Sequence, residues 1–115
     1  MAKTKIYHNP RCSKSRQTLA LLEEKGIQAD VVKYLEQAPS VEEIKQLLGM
    51  LGLTDPRDMM RTKEDEYKAQ NLAQAEGDAL IQAMHSTPKL IERPIVVHGE
   101  QAKIGRPPEQ VLELF

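Results

Sequence analysis

Apolar residues along this chain fall into short clusters divided by polar turns, and the spacing within each cluster identifies an element. Ile6 and Tyr7 after a polar lead predict a short strand over Lys5-Ile6-Tyr7. Leu19, Leu21 and Leu22 then mark one face of a helix that starts near Cys12 and runs to about Lys25, with Gly26 ending it. Ala29 to Leu35 is rich in β-branched and aromatic residues and reads as a second strand. A helical crossover between these strands predicts a parallel pair with a right-handed connection.

Ser40 and Glu43 form a capping-box pattern ahead of Val41, Ile44, Leu47, Leu48 and Leu51, which keep helical spacing. From about 54 to 88 the pattern stays helical but is broken by Asp55-Pro56, the charged run Arg61 to Glu66, and Gly77-Asp78. This stretch, with Leu80, Ile81 and Met84 near its end, is expected to be a helical insertion. Ile95 to His98 and Gln101 to Ile104 are two short strands split by Gly99-Glu100, a hairpin signal. Pro107 fits the first position of a terminal helix carrying Val111, Leu112 and Phe115.

Composition narrows the functional classes. A chain of 115 residues is expected to form a single domain over 1–115 that buries about two thirds of its unfolded surface without a disulfide staple. Sixteen basic against 17 acidic residues leave a net charge of -1, and three tyrosines and one phenylalanine offer few rings for stacking, so nucleic-acid binding is not expected. No apolar run approaches the roughly 20 residues of a membrane span, and the stretch after Met1-Ala2-Lys3-Thr4-Lys5 is too short for a signal peptide. The expected setting is the cytoplasm, where a single thiol stays reduced. Arg11, Arg16, Arg61, Arg93 and Arg106 stand at turns or element junctions, a distribution that suggests a local anion site in a neutral protein.

Cys12 is the only cysteine. A free cysteine ordinarily serves as a small buried hydrophobe, but here Asn9-Pro10-Arg11 and Ser13-Lys14-Ser15-Arg16 surround it with polar and basic residues. Pro10 blocks an earlier helix start, and Ser13 and Ser15 suit the first turn, so Cys12 is placed at or just before a helix N-terminus. Unpaired N–H groups and the positive end of the helix dipole stabilise a thiolate there, and Arg11, Lys14 and Arg16 are expected to add positive charge. A lone thiol forms no internal disulfide, so any redox partner sulfur belongs to another molecule. Ser15 stands where a Cys-x-x-Cys protein has its resolving thiol.

The β-α-β and β-β-α halves with a cysteine at the first helix N-terminus resemble the thioredoxin fold. That resemblance implies an α/β architecture: a central mixed four-stranded sheet flanked by helices, with the helical insertion between strands two and three. More narrowly, His8-Asn9-Pro10-Arg11-Cys12-Ser13-Lys14-Ser15-Arg16 resembles the active-site loop of the glutaredoxin-coupled arsenate reductases, the ArsC family. Glu92-Arg93-Pro94-Ile95-Val96-Val97 and Ile104-Gly105-Arg106-Pro107 resemble two later family motifs, and Met59-Met60-Arg61 fits the segment between them.

The resemblance implies that Cys12 is the nucleophile, that Arg61, Arg93 and Arg106 bind arsenate and the arsenic intermediates, and that His8 and Ser15 tune the thiol. It also implies a cis bond before Pro94, no bound cofactor, glutathione as co-substrate, glutaredoxin as protein partner and arsenite as product. A monomer is expected. Family members often continue past the last helix, which makes this chain similar to a short form.

Arginine suits a tetrahedral oxyanion through its permanent charge and planar fork. His8 is expected to hydrogen-bond or charge-stabilise the thiolate, and the Ser15 hydroxyl to donate to the sulfur. His85 and His98 lack partners at metal-ligand spacing, so no metal is expected. Met50, Met59, Met60 and Met84 read as gap-filling residues of the core or an interface.

Other readings fit less of the chain. A phosphatase-like loop calls for arginine six positions after the cysteine, where Thr18 stands, and a dithiol oxidoreductase calls for a second cysteine. A non-enzymatic regulator of the Spx type, binding RNA polymerase, shares the fold but commonly carries a Cys-x-x-Cys switch. A glutathione-dependent reductase of another substrate remains compatible with the same thiol and fold.

Overall fold

The computed structural model describes residues 3–115; Met1 and Ala2 lie outside the described residues. The chain divides into two compact units, one made of the segments before Ala38 and after Glu92, the other of Ala38–Glu92.

The first unit holds the sheet. Its strands are β1 (Thr4–Tyr7), β2 (Asp30–Val32), β3 (Ile95–His98) and β4 (Gln101–Ile104), in the order β2-β1-β3-β4. β1 pairs parallel with β2, β1 antiparallel with β3, and β3 antiparallel with β4, giving the expected mixed sheet. Gly99, with φ of 64°, supplies the positive φ that the tight turn between β3 and β4 requires.

The crossover between β1 and β2 is α1 (Ser13–Glu24), with Cys12 at its N-cap. Its C-terminus closes as expected: Gly26 adopts φ of 74°, its N–H donates to the Glu23 carbonyl at 3.0 Å, and the Ile27 N–H donates to the Leu22 carbonyl at 2.9 Å. Ser15, Thr18 and Leu22 form the buried face, whereas Leu19 and Leu21 are half-buried. The apolar cluster predicted for this helix is therefore rotated, because two hydroxyl residues near its start point inward. Ile6, Leu22, Val96, Val111 and Leu114 form a core against which Leu19, Ile27 and Ala29 pack. Fully burying one such aliphatic side chain stabilises the fold by about 1.5–3 kcal/mol.

Two elements differ from expectation. β2 ends at Val32 rather than Leu35, since its pairing with β1 stops at Tyr7 and one further bond, from the His8 N–H to the Val32 carbonyl at 2.8 Å. Pro10 and the turn into α1 then end the β1 pairing, and the chain beyond Val32 turns back, with the Glu36 and Gln37 N–H groups donating to the Lys33 carbonyl. The terminal helix is a 3-10 helix over Pro108–Leu114, with Pro107 before it rather than at its first position. Pro108, Val111 and Leu114 are buried at intervals of three, the period that a 3-10 helix places on one face. Leu112 is half-buried and Phe115 is exposed, so the predicted α-helical face is not the one used.

The elements of the second unit are short helices, joined by turns and by one isolated bridge between Met60 and Ile91. α2 (Val41–Met50) starts as the capping pattern predicts, the Ser40 hydroxyl accepting the Glu43 N–H at 3.1 Å, and buries Ile44 and Leu47. α3 (Asp65–Ala69) and α4 (Asp78–Ser86) follow, with 3-10 segments at Pro56–Met59, Leu72–Gln74 and Pro88–Leu90. α2 packs against α4, which buries Leu80, Ile81 and Met84. Met59, Met60 and Met84 are buried and Met50 is half-buried, consistent with gap filling. Among the described residues no helix is long and apolar enough to cross a membrane.

Candidate active site

The loop from β1 to α1 is built by local hydrogen bonds. Asn9 organises it: its backbone carbonyl accepts the Cys12 N–H at 3.0 Å, its side-chain Oδ1 accepts the Arg11 N–H at 3.0 Å, and its own N–H donates to Ser15 Oγ at 3.0 Å. Arg16 Nη1 donates to the Pro10 carbonyl at 2.8 Å and closes the loop from the helix side. Asn9-Pro10 is legible in the sequence as a turn, but the threefold role of Asn9 is not, because each bond depends on the fold of the loop.

Cys12 is 9% exposed at the N-cap of α1. Burial pushes its thiol up. The backbone N–H of Ser15, the charge of Arg93, the backbone N–H of Lys14 and the charge of Arg106 outweigh that penalty, and the thiol sits below the ordinary cysteine value. Helix-start N–H groups thus act as expected, but the charges that act most on the sulfur come from the far end of the chain. Arg106 Nη2 donates toward Cys12 Sγ at 3.8 Å, while its Nε donates to the Arg93 carbonyl at 2.8 Å. The nearby Arg16 is turned to the loop carbonyl instead.

Arg93 and Arg106 are positioned by the second half of the sheet. Arg93 precedes β3 and is joined to Pro94 by a cis bond, as the sequence resemblance implied; Arg106-Pro107 is cis as well. The Gly105 N–H donates to the Pro94 carbonyl at 2.9 Å, tying the exit of β4 to the entrance of β3.

His8 and Ser15 meet each other rather than the sulfur. His8 Nδ1 and Ser15 Oγ are paired at 2.6 Å, and the same hydroxyl accepts the Asn9 N–H. The expectation that the Ser15 hydroxyl donates to sulfur is corrected: the backbone N–H of Ser15 serves the thiolate, and the hydroxyl braces the loop. His8 is buried, and that burial, together with the charges of Lys33 and Arg16, holds it below its ordinary value of 6.5. It is therefore neutral at neutral pH, and charge stabilisation of the thiolate by an imidazolium is not its role.

Arg61 belongs to the second unit. Its backbone N–H donates to the Leu90 carbonyl at 2.7 Å, next to a bridge between Met60 and Ile91. Its guanidinium pairs with Glu64, whose other oxygen lies 3.6 Å from Lys89 Nζ.

A neutral imidazole, a serine-braced loop and a low-pKa thiol flanked by two arginines suit nucleophilic attack on a small anion. Comparison with known proteins narrows the class. The chain is 57% identical to the uncharacterized protein YfgD of Escherichia coli, over 96% of this chain and 94% of that one. It is 54% identical to an arsenate reductase of Haemophilus influenzae, over 96% of this chain and 97% of that one. Its fold superposes on the structure of an arsenate reductase from Vibrio cholerae with a TM-score of 0.96 and 59% identity, covering 99% of this chain and 98% of the other. The model of the ArsC family matches residues 7–114, and this chain belongs to that family.

Proposed function

We propose that this protein is an arsenate reductase in which Cys12 is the nucleophile and glutathione and glutaredoxin supply the electrons. The observation that carries the reading is the Cys12 thiol at the start of α1 with Arg106 Nη2 3.8 Å from its sulfur. Relatives named arsenate reductase at 50% identity or more support the same substrate.

In this scheme the Cys12 sulfur bonds to arsenic and one arsenate oxygen leaves as water, giving a cysteine–arsenate adduct. Arg93 and Arg106, with Arg61 as the family resemblance implies, neutralise the oxyanion, and the N–H groups at the start of α1 hold charge on the sulfur. Glutathione then attacks, because the chain has no second thiol. The two sulfurs become a mixed disulfide as arsenic passes from the pentavalent to the trivalent state and leaves as arsenite. Glutaredoxin takes the glutathionyl group and restores the Cys12 thiol. No resident cofactor is needed, the protein acts as a monomer, and the dependence on glutathione fits a reducing compartment such as the cytoplasm.

The test follows NADPH oxidation with glutathione, glutathione reductase and glutaredoxin, with and without arsenate. Turnover should require arsenate, glutathione and glutaredoxin together. Recovery of RNA polymerase by the purified protein, with no arsenate-dependent oxidation, would favour a regulator of the Spx type instead.

A further inference from the structure

Gly105 sits where the exit of β4 passes the first turns of α1. A Cβ built there would lie 2.6 Å from Thr18 Oγ1, 3.2 Å from Thr18 Cγ2 and 2.8 Å from Pro94 Cγ. The position is closed to any side chain on two sides, although the turn is not one that demands a positive φ. Thr18 is itself fixed. It is fully buried, and its hydroxyl donates to the Lys14 carbonyl at 2.8 Å. Lys14 is one of the two residues whose backbone N–H serves the Cys12 sulfur. The next residue after Gly105 is Arg106, which reaches both the Arg93 carbonyl and Cys12 Sγ.

These facts describe one stack: Thr18 braces the turn of α1 that holds the sulfur, Gly105 lies against Thr18, and Arg106 leaves directly from Gly105. We infer that Thr18 and Gly105 are positioning residues, a steric gauge whose minimal thickness sets the distance at which Arg106 meets Cys12. The helix turn and the strand exit must approach closely for the guanidinium to reach the sulfur, and glycine is the residue that permits it. A methyl group at 105 pushes the strand exit from α1 and carries Arg106 away from the thiol. The inference rests on the reading of Cys12 and Arg106 as working partners, but not on arsenate being the substrate.

The test therefore uses a neutral alkylating probe. The rate of Cys12 modification by iodoacetamide is followed against pH for the native chain, Gly105→Ala, Thr18→Ala and the double variant. Gly105→Ala should shift the profile to higher pH by about 0.7 pH unit, which is the fivefold change in acid dissociation constant expected on losing one charge about 4 Å away under water-like screening. Adding Thr18→Ala should return the profile toward the native one by opening space on the helix side. Should Gly105→Ala fail to fold, Thr18→Leu enlarges the same contact from α1 and should give the same shift. A native profile in a folded Gly105→Ala or Thr18→Leu protein, even with a lowered melting temperature, overturns the inference. So does a shift in Gly105→Ala that Thr18→Ala leaves in place.

Discussion

Arg106 and Cys12 are separated by 94 positions in the chain, yet the guanidinium Nη2 lies 3.8 Å from the sulfur. The arginine is steered by a second bond, from Nε to the Arg93 carbonyl at 2.8 Å. Arg106→Leu removes the charge and leaves burial, which raises a thiol pKa, less opposed. The thiolate absorbance should then titrate at higher pH than in the native protein. An unchanged titration would separate Arg106 from the thiol.

Ser15→Ala tests which part of Ser15 matters. The hydroxyl accepts the Asn9 N–H and pairs with buried His8, so its loss should cost about 1–3 kcal/mol of stability through unsatisfied partners. The backbone N–H that faces the sulfur is retained. Denaturant melts should show the loss while the thiolate titration stays close to native; a large titration shift would instead assign the hydroxyl to the sulfur.

His8 makes stability depend on pH in a defined direction. Its folded value lies below 6.5, mainly through burial, so as pH falls past 6.5 the unfolded chain takes up a proton that the folded chain refuses. The stabilisation is complete above 6.5 and is lost progressively as pH falls through the folded value. Thermal melts from neutral to mildly acidic pH should show a steeper decline for the native protein than for His8→Gln. Equal slopes would contradict the buried neutral imidazole.

Arg57 clamps the second unit. Its side chain donates to Tyr67 Oη and to the carbonyls of Leu72, Ala73 and Ala75, drawing the segment after α3 onto the 3-10 turn at Pro56–Met59. Arg57→Ala should lower the melting temperature and hasten proteolysis between residues 70 and 76. Arg57→Lys should behave similarly, because a single ammonium lacks the planar fork that spans these acceptors.

The chain carries its fold most openly where the signals are local. The Ser40 cap, the Gly26 stop and the Gly99-Glu100 turn each act within a few residues, and each appears in the structure where the sequence places it. Cys12 at the start of α1 is legible for the same reason. What depends on distant partners is not. β2 stops at Val32 because β1 runs out of pairing, and the final helix takes a threefold period because Pro108, Val111 and Leu114 are the residues that become buried. In the site, the basic flank of Cys12 suggested local charges on the thiol, whereas the effective ones come from Arg93 and Arg106, at the entrance of β3 and the exit of β4, which meet at the open end of the hairpin. Gly105 is a bare spacing in the sequence; its meaning comes from Thr18, which lies across the fold in α1.

The most direct measurement quantifies arsenite formed from arsenate by the purified protein with glutathione and glutaredoxin, comparing the native chain with Cys12→Ser. Native protein should produce arsenite with turnover, and Cys12→Ser should produce none above the protein-free background while keeping its native circular dichroism. Arsenite formation that survives in Cys12→Ser would contradict the assignment of the Cys12 thiolate as the nucleophile.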